Sequence, residues 1–295
     1  MIRRILAFAA LAMAFVGCVA SRPADAIRVG SYNIRLSPGD VGTPNAWDER
    51  KADLVNLVRK MDLDAFGMQE VCPDQAQYLR EQLPEFAFVG DHREADRKSG
   101  EASPVFYRRS RFEAEKSGTF WLSESPDIPA SKSWNTRCTR VCSYLILRDK
   151  VTGKRFCFAN THTDHVSELA REKGMLLIVE RMKVFGAGSP IVFTGDHNCC
   201  YEDAPAVAVR KVLKDSRDIT EKRDPGPRNT FQGFGRYKDG PVTRKSGVTK
   251  DYCIDYIYVS DGTRVLDFVT HDDKRPGTDL YPSDHFPVTA TIILP

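Results

Sequence analysis

The feature of this sequence that most constrains its fold is a series of nine short apolar segments spread over residues 27–295. Each is four to eight residues long and ends near polar or turn-forming residues, which is typical of β-strands with a buried face. The predicted strands are Ile27–Ile34, Ala65–Gln69, Phe86–Val89, Ser103–Tyr107, Ser143–Arg148, Phe156–Thr161, Ile191–Gly195, Tyr256–Val259 and Val288–Ile293. So many short strands indicate a fold built on one or more large sheets.

Two further segments have apolar residues at helical spacing. The first begins near Trp47, and the second follows Ser167, a residue suited to cap the N-terminus of a helix. Because strands and helices do not alternate strictly, we expect mixed sheets with helices packed outside them. No linker rich in Gly, Ser and Pro divides the chain, so residues 27–295 are predicted to form one domain.

The first 26 residues have the organisation of a signal peptide. Arg3 and Arg4 precede the apolar run Ile5–Val16, which is short for a membrane span, and Ala24-Asp25-Ala26 matches an A-x-A cleavage site. We therefore expect export to the periplasm or the medium, with a mature chain that begins after Ala26. The rest of the sequence has no segment with the length and apolarity of a membrane span.

A second interpretation of the N-terminus stays open. Phe15-Val16-Gly17-Cys18 resembles a bacterial lipoprotein box, which would make a lipidated Cys18 the mature N-terminus. Phe15 fits the first position of that box poorly, so we prefer cleavage after Ala26.

The charge balance of the chain is close to neutral. The formal net charge is +3, and it falls to +1 when residues 1–26 are removed. The chain as a whole therefore lacks the strongly basic footprint of many nucleic-acid-binding domains. We interpret its two local basic clusters as solvated surface, although such clusters can also steer a polyanion. The clusters are Arg108, Arg109 and Arg111, and Lys132, Arg137 and Arg140.

The chain has eight cysteines, and cleavage after Ala26 would leave seven. An odd number leaves at least one free thiol or an intermolecular bond, and export permits disulfides. Cys138 and Cys142 are close enough in sequence to bridge across a loop, but the sequence does not fix the connectivity. No pair of C-x-x-C motifs predicts a structural zinc site.

Polar residues recur where the predicted strands end or begin. Four strands have such residues at or just after their ends, namely Asn33, Glu70, Asn160 with His162, and Asp196 with Asn198. Asp255 and Asp284 with His285 lie at the start of two others. One such residue is usually only a turn residue. Six such positions in one domain, rich in carboxylates and histidines, predict a common site.

Hydrolysis of phosphate esters explains this set of residues. The reaction needs a metal to neutralise phosphate charge, a group that orients or deprotonates water, and donors for the phosphoryl oxygens. Carboxylate and amide oxygens suit a hard ion such as Mg²⁺. A histidine held by an aspartate keeps one tautomer and can transfer a proton.

In this order, the residues resemble the motifs of the endonuclease/exonuclease/phosphatase superfamily, which includes pancreatic-type deoxyribonuclease, deadenylases, neutral sphingomyelinases and inositol-phosphate phosphatases. Ser117–Pro126 and Ser131–Trp134 resemble a bacterial branch of metal-dependent hydrolases. The resemblance covers residues 27–295 and implies an α/β fold, a four-layer sandwich of two packed mixed β-sheets flanked by helices. It also implies Mg²⁺, or Mn²⁺ in its place, as the cofactor.

The resemblance implies a role for each residue. Glu70 would be the principal metal ligand, with Asn33 beside it and Asp284 as a second carboxylate on the metal side. Asn160 would line the same floor and help to bind the substrate.

The remaining motif residues would act on the phosphate. Asp196 would orient or deprotonate water, Asn198 would hold the phosphate, and His162 would donate to a phosphoryl oxygen or protonate the leaving group. His285, oriented by Asp255, would contact the scissile phosphate or act as the base. The choice of base between Asp196 and His285 stays open.

Two positions depart from the family pattern. His197 replaces the usual aromatic residue between Asp196 and Asn198, and Thr163 replaces an apolar residue after His162. We expect both to affect packing and to leave catalysis intact. Cys199 and Cys200 are expected to pack or to form a disulfide near the rim of the site, because nearby carboxylates disfavour a catalytic thiolate.

The sequence-based prediction is therefore an exported, Mg²⁺-dependent phosphodiesterase, with a nuclease as the leading hypothesis. The expected partner is a phosphodiester substrate such as a nucleic acid, and we expect a monomer. A sphingomyelinase-like lipid phosphodiesterase and a phosphomonoesterase are the alternatives among enzymes. A non-catalytic binding domain on the same fold is disfavoured because Glu70, Asp196 and His285 are all present.

Overall fold

The computed structural model describes residues 22–222, 226–237, 240–243 and 249–295. The apolar run of the predicted signal peptide and Cys18 lie outside these residues. The strands are β1 (Ile27–Asn33), β2 (Ala65–Gln69), β3 (Phe86–Val89), β4 (Val105–Arg108), β5 (Phe112–Trp121), β6 (Val141–Asp149), β7 (Arg155–His162), β8 (Ile191–Asp196), β9 (Lys214–Asp215), β10 (Val242–Thr243), β11 (Thr249–Lys250), β12 (Asp255–Val259), β13 (Arg264–Thr270) and β14 (Val288–Ile293). The helices are α1 (Trp47–Lys60), α2 (Pro73–Gln82), α3 (Glu168–Phe185), α4 (Ala204–Arg210) and α5 (Ser216–Ile219).

Twelve of these strands form two six-stranded sheets. The order is β13-β14-β1-β2-β4-β3 in the first sheet and β5-β6-β7-β8-β12-β9 in the second. Each sheet contains one parallel pair, β1 with β2 and β7 with β8, among antiparallel pairs. Both sheets are therefore mixed, as expected.

Three apolar clusters separate four layers. Between the sheets, side chains such as Val29 and Ile292 pack with Phe158 and Val192. Helices α1 and α2 cover the outer face of the first sheet, and α3 and α4 cover the outer face of the second. This arrangement confirms the predicted four-layer α/β sandwich. No helix among the described residues is both long enough and apolar enough to cross a membrane.

All nine predicted strands are present, with boundaries within two residues of the predicted ones. The second predicted helix follows Ser167, whose side-chain oxygen accepts a hydrogen bond from the Ala170 amide at 3.1 Å. The sequence analysis missed β5, because much of this strand is exposed and polar. It also missed α2, whose sequence PDQAQYLREQ has only a weak apolar stripe.

Strand register brings the polar strand ends together. In the second sheet, Asp196 at the end of β8 pairs with His162 of β7 on one side and with Asp255 of β12 on the other. In the first sheet, Asn33 at the end of β1 pairs with Gln69, the residue before Glu70. The ends of these inner strands therefore carry the candidate catalytic groups, on the same side of both sheets.

No disulfide forms among the seven cysteines of the described residues, so Cys138 is not bridged to Cys142. Cys142 lies on β6, inside the apolar cluster beneath α3, whereas Cys138 precedes that strand. Cys199 and Cys200 are also buried, and neither forms a disulfide, which agrees with the packing role. Burial raises the pKa of the Cys199 thiol far above its usual range, so this group stays protonated.

His197 is a packing residue, as expected. Its ring is fully buried and stacks at a centroid distance of 5.5 Å on both Tyr256 and Tyr258. Burial lowers the pKa of His197 to about 3, although the Thr194 backbone partly offsets this effect. The folded protein therefore keeps the imidazole neutral, whereas the unfolded chain binds a proton below about pH 6.5.

Replacing His197 with Phe should make the stability of the protein less sensitive to acid. Because the unfolded state of the wild type gains a proton that the folded state excludes, wild-type stability falls as pH decreases from about 6.5 toward 3. At pH 5 this effect is about 2 kcal/mol and should be absent in His197→Phe. Urea unfolding of both proteins at pH 7 and pH 5 measures it. Equal losses of stability in the two proteins would contradict the conclusion that the folded protein keeps His197 neutral.

Candidate active site

Asn33 joins the two sheets at the centre of the site. Its side-chain nitrogen donates to Glu70 Oε1 at 3.0 Å and to Asp196 Oδ2 at 2.9 Å. Asn33 is fully buried, and Ser283 Oγ donates to its carbonyl oxygen at 2.7 Å. A neutral amide placed in this way fixes the spacing of two carboxylates without adding charge.

Glu70 and Asn198 are held in unfavourable backbone conformations. Their φ angles are +63° and +47°, in the left-handed region that residues with a side chain rarely adopt. The other carboxylate oxygen of Glu70 accepts from the Leu36 amide at 2.9 Å, and the Asn198 amide donates to Asp196 Oδ1 at 3.0 Å. Strain of this kind is concentrated at functional sites, where it aims side chains into a cavity.

His162 lies between Asn198 and Asp196. Its Nε2 atom is 2.9 Å from Asn198 Nδ2 and 3.4 Å from Asp196 Oδ2. Burial, and then the positive charge of Arg140, lower the pKa of His162 well below its usual value. The ring is therefore neutral, so Nε2 can accept from Asn198 when the proton resides on Nδ1.

His285 and Asp255 form the predicted orienting pair. Nδ1 of His285 is 2.8 Å from Asp255 Oδ2, and both side chains are buried. Nε2 of the same ring lies 3.7 Å from Asp196 Oδ2. Burial alone would lower the pKa of His285, but Asp255 and Asp196 outweigh it and raise the pKa to about 10.

Asp196 is the most crowded carboxylate of the site. Burial raises its pKa, the negative charge of Asp255 adds to this, and His285 and Asn33 only partly offset them, so that the pKa reaches about 7. A carboxylate perturbed by both burial and a neighbouring charge is typical of active sites.

The donor atoms at this edge suit a divalent cation. Ligand atoms of Glu70, His162 and Asp196 lie within 4.8 Å of one another, and a second such group contains Asp196, Asp255 and His285. In the second group, the His285 and Asp255 side chains already bind each other. The first group offers carboxylate oxygens, which hard cations such as Mg²⁺ or Mn²⁺ prefer. Glu70 and Asp196 therefore fit the predicted metal.

Asp284 lies on the wall of the same cavity but belongs to neither group. Its Oδ2 atom is 3.8 Å from Arg35 Nη1. Burial and then the adjacent negative charge of Glu70 raise its pKa, whereas His285 and Arg35 lower it. The predicted role of Asp284 as a metal-side carboxylate remains a prediction.

Asn160 differs from the other predicted site residues because its side chain lies beneath the floor of the cavity. Its amide nitrogen donates to the carbonyl oxygens of Met68 and Pro104, and its amide oxygen accepts from Gln69 and Thr194. These four hydrogen bonds use all the donors and acceptors of the Asn160 side chain. The side chain therefore holds the two sheets together and is not free to bind a substrate. Asn160 does not line the cavity, where we expected it to bind substrate.

The site opens into a cavity of about 550 Å³. The cavity contains groups that the sequence analysis did not single out for the site, or that it interpreted as solvated surface in the case of Arg140. They are Arg35, Leu36, Glu101, Cys138, Arg140, His165, Phe231, Tyr252 and Ile254. Arg140 is only 6% exposed, so the solvated interpretation of this residue was wrong. Most of these residues come from loops, where no predicted strand end marked them, whereas Arg140 and Ile254 directly precede β6 and β12.

The family model of the endonuclease/exonuclease/phosphatase family matches residues 30–285, which include the whole site. The chain belongs to the endonuclease/exonuclease/phosphatase family. Members of this family hydrolyse phosphate esters, and the acidic and histidine groups described above can hold the metal that they use. The protein is therefore a metal-dependent phosphoric ester hydrolase.

Solved structures agree with this assignment. A family member from Bacteroides thetaiotaomicron is 32% identical, with 92% of this chain and 95% of that chain covered and a TM-score of 0.82. A mannosyl-6-phosphatase from B. thetaiotaomicron VPI-5482 is 31% identical, with 91% and 100% covered and a TM-score of 0.81. The catalytic domain of human nocturnin is 18% identical, with 93% and 97% covered and a TM-score of 0.69, and at this identity the similarity shows the fold alone.

A curated protein of Acanthamoeba polyphaga mimivirus is 25% identical over 223 residues. The match covers 61% of this chain and 32% of the viral protein, so this chain spans about a third of the length of that relative.

Replacing Asp255 with Asn should slow turnover sharply while the fold and KM change little. The hydrogen bond to His285 favours the charged ring, and this contribution grows as charge develops in the transition state. We expect kcat to fall by at least about 100-fold. Steady-state kinetics and melting temperature should be measured on the same sample.

Asp215→Asn is a matched control, because Asp215 is another buried carboxylate, on the neighbouring strand β9 but outside the cavity. A destabilised Asp255→Asn protein with wild-type kcat would mean that Asp255 is only structural.

Proposed function

We propose that this phosphoesterase acts on the monoester of a small, hydroxyl-bearing alcohol such as a sugar phosphate. The observation that carries the proposal is the cavity, whose volume of about 550 Å³ is in the range of small-molecule sites. Its wall combines four carboxylates with only two arginines, Arg35 and Arg140. Because carboxylates outnumber arginines, this wall suits one phosphate held beside a cation better than a nucleic-acid strand that carries many phosphates.

The mannosyl-6-phosphatase that is 31% identical over its full length supports the same substrate class. The sequence-based preference for a nuclease stays a prediction. The two arginines of the cavity wall each lie near a carboxylate, Arg35 at 3.8 Å from Asp284 and Arg140 at 3.6 Å from Glu101, which reduces the net positive charge that they offer to a polyanion.

The residues of the site divide the chemistry among them. A bound divalent cation would supply charge neutralisation at the phosphate, with Glu70 and Asp196 as its protein ligands. Asn33 keeps these two carboxylates at a fixed separation. Asp196 is also the acceptor placed to orient water.

His285 is held with Nδ1 on Asp255, so its Nε2 atom faces the cavity and can donate to a phosphoryl oxygen. Asn198 and His162 lie side by side on the cavity wall, where the Asn198 side-chain nitrogen is 2.9 Å from His162 Nε2 and donates to the Thr163 carbonyl. When a phosphate binds and this contact opens, Asn198 would donate to the phosphate and His162 would exchange a proton with the leaving group. With the roles assigned in this way, Asp196 is the preferred general base, and His285 is a hydrogen-bond donor to the phosphate.

Purified protein should hydrolyse sugar phosphates and p-nitrophenyl phosphate, and EDTA should abolish the activity until Mg²⁺ or Mn²⁺ is restored.

Glu70→Gln should lose most of this activity and keep its fold, because it removes a charge that the cation needs. Glu49→Gln, which alters an exposed carboxylate on α1, is the control. Wild-type turnover of Glu70→Gln at saturating Mg²⁺ would contradict the metal assignment. Faster cleavage of DNA or RNA than of any monoester would favour the nuclease hypothesis.

We also propose that the protein is exported, with a mature chain that begins at Ile27. Support comes from β1, which begins at Ile27, so cleavage after Ala26 leaves every strand intact. The contacts of residues 22–26 bear on the lipoprotein alternative. Arg22 lies 3.1 Å from Asp64, and Arg111 donates to the Ala24 carbonyl at 3.3 Å. A chain that began at Cys18 would retain both contacts.

If the chain is cleaved after Ala26, mass spectrometry of the protein recovered from its native host should give the mass of residues 27–295. A mass that corresponds to a diacylglyceryl-modified Cys18 would contradict cleavage after Ala26 and establish the lipid anchor.

A further inference from the structure

A fully buried arginine lies behind the active site, near the start of α1. Arg50 is 0% exposed and does not line the cavity. The four hydrogen bonds of its guanidinium all go to backbone carbonyls. Burial lowers the pKa of this guanidinium, but an arginine remains charged at neutral pH. Burying a charge costs free energy of desolvation, so we expect a contribution to function that offsets this cost.

The carbonyls that Arg50 binds belong to two chain segments that carry the site. Its Nη1 atom donates to the carbonyl oxygens of Ile34, at 2.5 Å, and of Pro282, at 2.9 Å. Its Nη2 atom donates to the Arg35 carbonyl at 2.7 Å. Ile34 directly follows the end of β1, and Pro282 lies three residues before His285. One guanidinium therefore joins the segment after β1 to the segment before β14.

Arg35 has a strained backbone that these hydrogen bonds hold in place. Its φ angle is +59°, in the left-handed region. Its carbonyl accepts from Gln75 Nε2 at 2.9 Å as well as from Arg50. The amide of the next residue, Leu36, donates to Glu70 Oε2 at 2.9 Å. The turn that brings this amide to Glu70 therefore depends on the donors that fix the Arg35 carbonyl.

The second segment leads into His285. Ser283 Oγ donates to the Asn33 carbonyl at 2.7 Å, and the His285 amide donates to Ser283 Oγ at 3.4 Å. Pro282 directly precedes Ser283, so the hydrogen bond from Arg50 to the Pro282 carbonyl fixes the start of this series of contacts. A shift of Pro282 would move the His285 ring relative to Asn33 and the two carboxylates that Asn33 binds.

The planar shape of the guanidinium allows one side chain to make all of these contacts. Arg50 Nε donates to the Asn45 carbonyl at 2.9 Å, and the guanidinium carbon lies 5.2 Å from the centroid of the Trp47 ring. These contacts orient the guanidinium. A lysine ammonium is a single donor atom on a flexible stem, so it cannot reproduce the hydrogen bonds of Nη1, Nη2 and Nε together.

We propose that Arg50 is a positioning residue of the hydrolytic centre, which holds the segment after β1 against the segment before β14 and thereby sets the spacing of Glu70 and His285. Arg50 lies outside the cavity, so it acts through backbone carbonyls and not by contact with the substrate. The inference concerns the hydrolytic centre itself and does not depend on which phosphate ester is the substrate.

Arg50→Lys tests this role. The matched control is Arg59→Lys, because Arg59 lies on the same helix, donates to the Gln82 carbonyl at 2.8 Å and does not line the cavity. The probes are p-nitrophenyl phosphate and bis(p-nitrophenyl) phosphate at saturating Mn²⁺. In Arg50→Lys, kcat should fall about 10- to 100-fold because the reacting groups are misplaced. KM should stay within about threefold, because no group that contacts the substrate is removed.

A second readout does not involve turnover. Calorimetric titration of the metal-free protein with MnCl₂ should give a dissociation constant about tenfold higher for Arg50→Lys than for the wild type, because Glu70 loses its fixed position. Arg59→Lys should match the wild type in both measurements. The melting temperature of each sample reports the effect on stability separately.

If Arg50→Lys does not fold, Gln75→Glu replaces it, because this substitution removes the other donor to the Arg35 carbonyl. A carboxylate oxygen can still accept from the Cys72 amide, as Gln75 Oε1 does at 2.9 Å, so the cap of α2 is kept. The loss of one hydrogen bond should lower kcat and Mn²⁺ affinity about three- to tenfold.

A lower melting temperature with wild-type kcat and Mn²⁺ affinity would overturn the proposal, because Arg50 would then only attach α1 to the sheet. A loss confined to KM would overturn it as well. A wild type that cleaves nucleic acid but no monoester would contradict the proposed substrate class, whereas the Mn²⁺ titration would still decide the role of Arg50.

Discussion

The structure depends on hydrogen bonds that pass between the two sheets at one edge of the sandwich. Asn33 of the first sheet donates to Asp196 of the second, and Asn160 of the second donates to the Met68 carbonyl of the first. The sheets approach so closely here that a Cβ atom on Gly67 would lie 2.1 Å from the Asn160 side chain. Apolar packing alone does not fix such a contact to a fraction of an ångström, whereas paired amides and carboxylates do.

This polar edge exists at the expense of local stability. Asp196 and Asp255 are buried side by side, and Glu70 and Asn198 have strained backbones. Each strained residue costs about 1–3 kcal/mol. The apolar layer between the sheets is formed by strands that run directly into this edge, so the rest of the domain holds the site in place. A site prepared in this way need not reorganise when charge develops on the phosphate.

Much of this arrangement could be predicted from the sequence, because strand ends are visible there. Asn33, Glu70, His162, Asp196 and Asp255 each stand next to an apolar segment, and strand pairing then requires them to meet. The pairing of His285 with Asp255 was implied by the family resemblance, and the structure has it at 2.8 Å.

Other features had no local signal. Asn160 occupies a strand end like the others, but the close approach at Gly67 turns its amide into a contact between the sheets. Glu101 and Arg140 come from loops, and only the β-bridges of Ala102 with Val71 and His92 and the burial of Arg140 place them in the cavity. The absence of a disulfide between Cys138 and Cys142 depends on the direction in which β6 presents Cys142, which sequence separation does not determine.

The central claim is that the strand-end acids form a single metal-dependent hydrolytic centre organised by Asn33. An anomalous difference map from crystals soaked in MnCl₂ tests this claim most directly. A strong peak should lie in contact with the Glu70 carboxylate on the side that faces Asp196, and it should be absent from crystals of Glu70→Gln. A map with no peak at Glu70, or with Mn²⁺ bound elsewhere in the cavity, would contradict it.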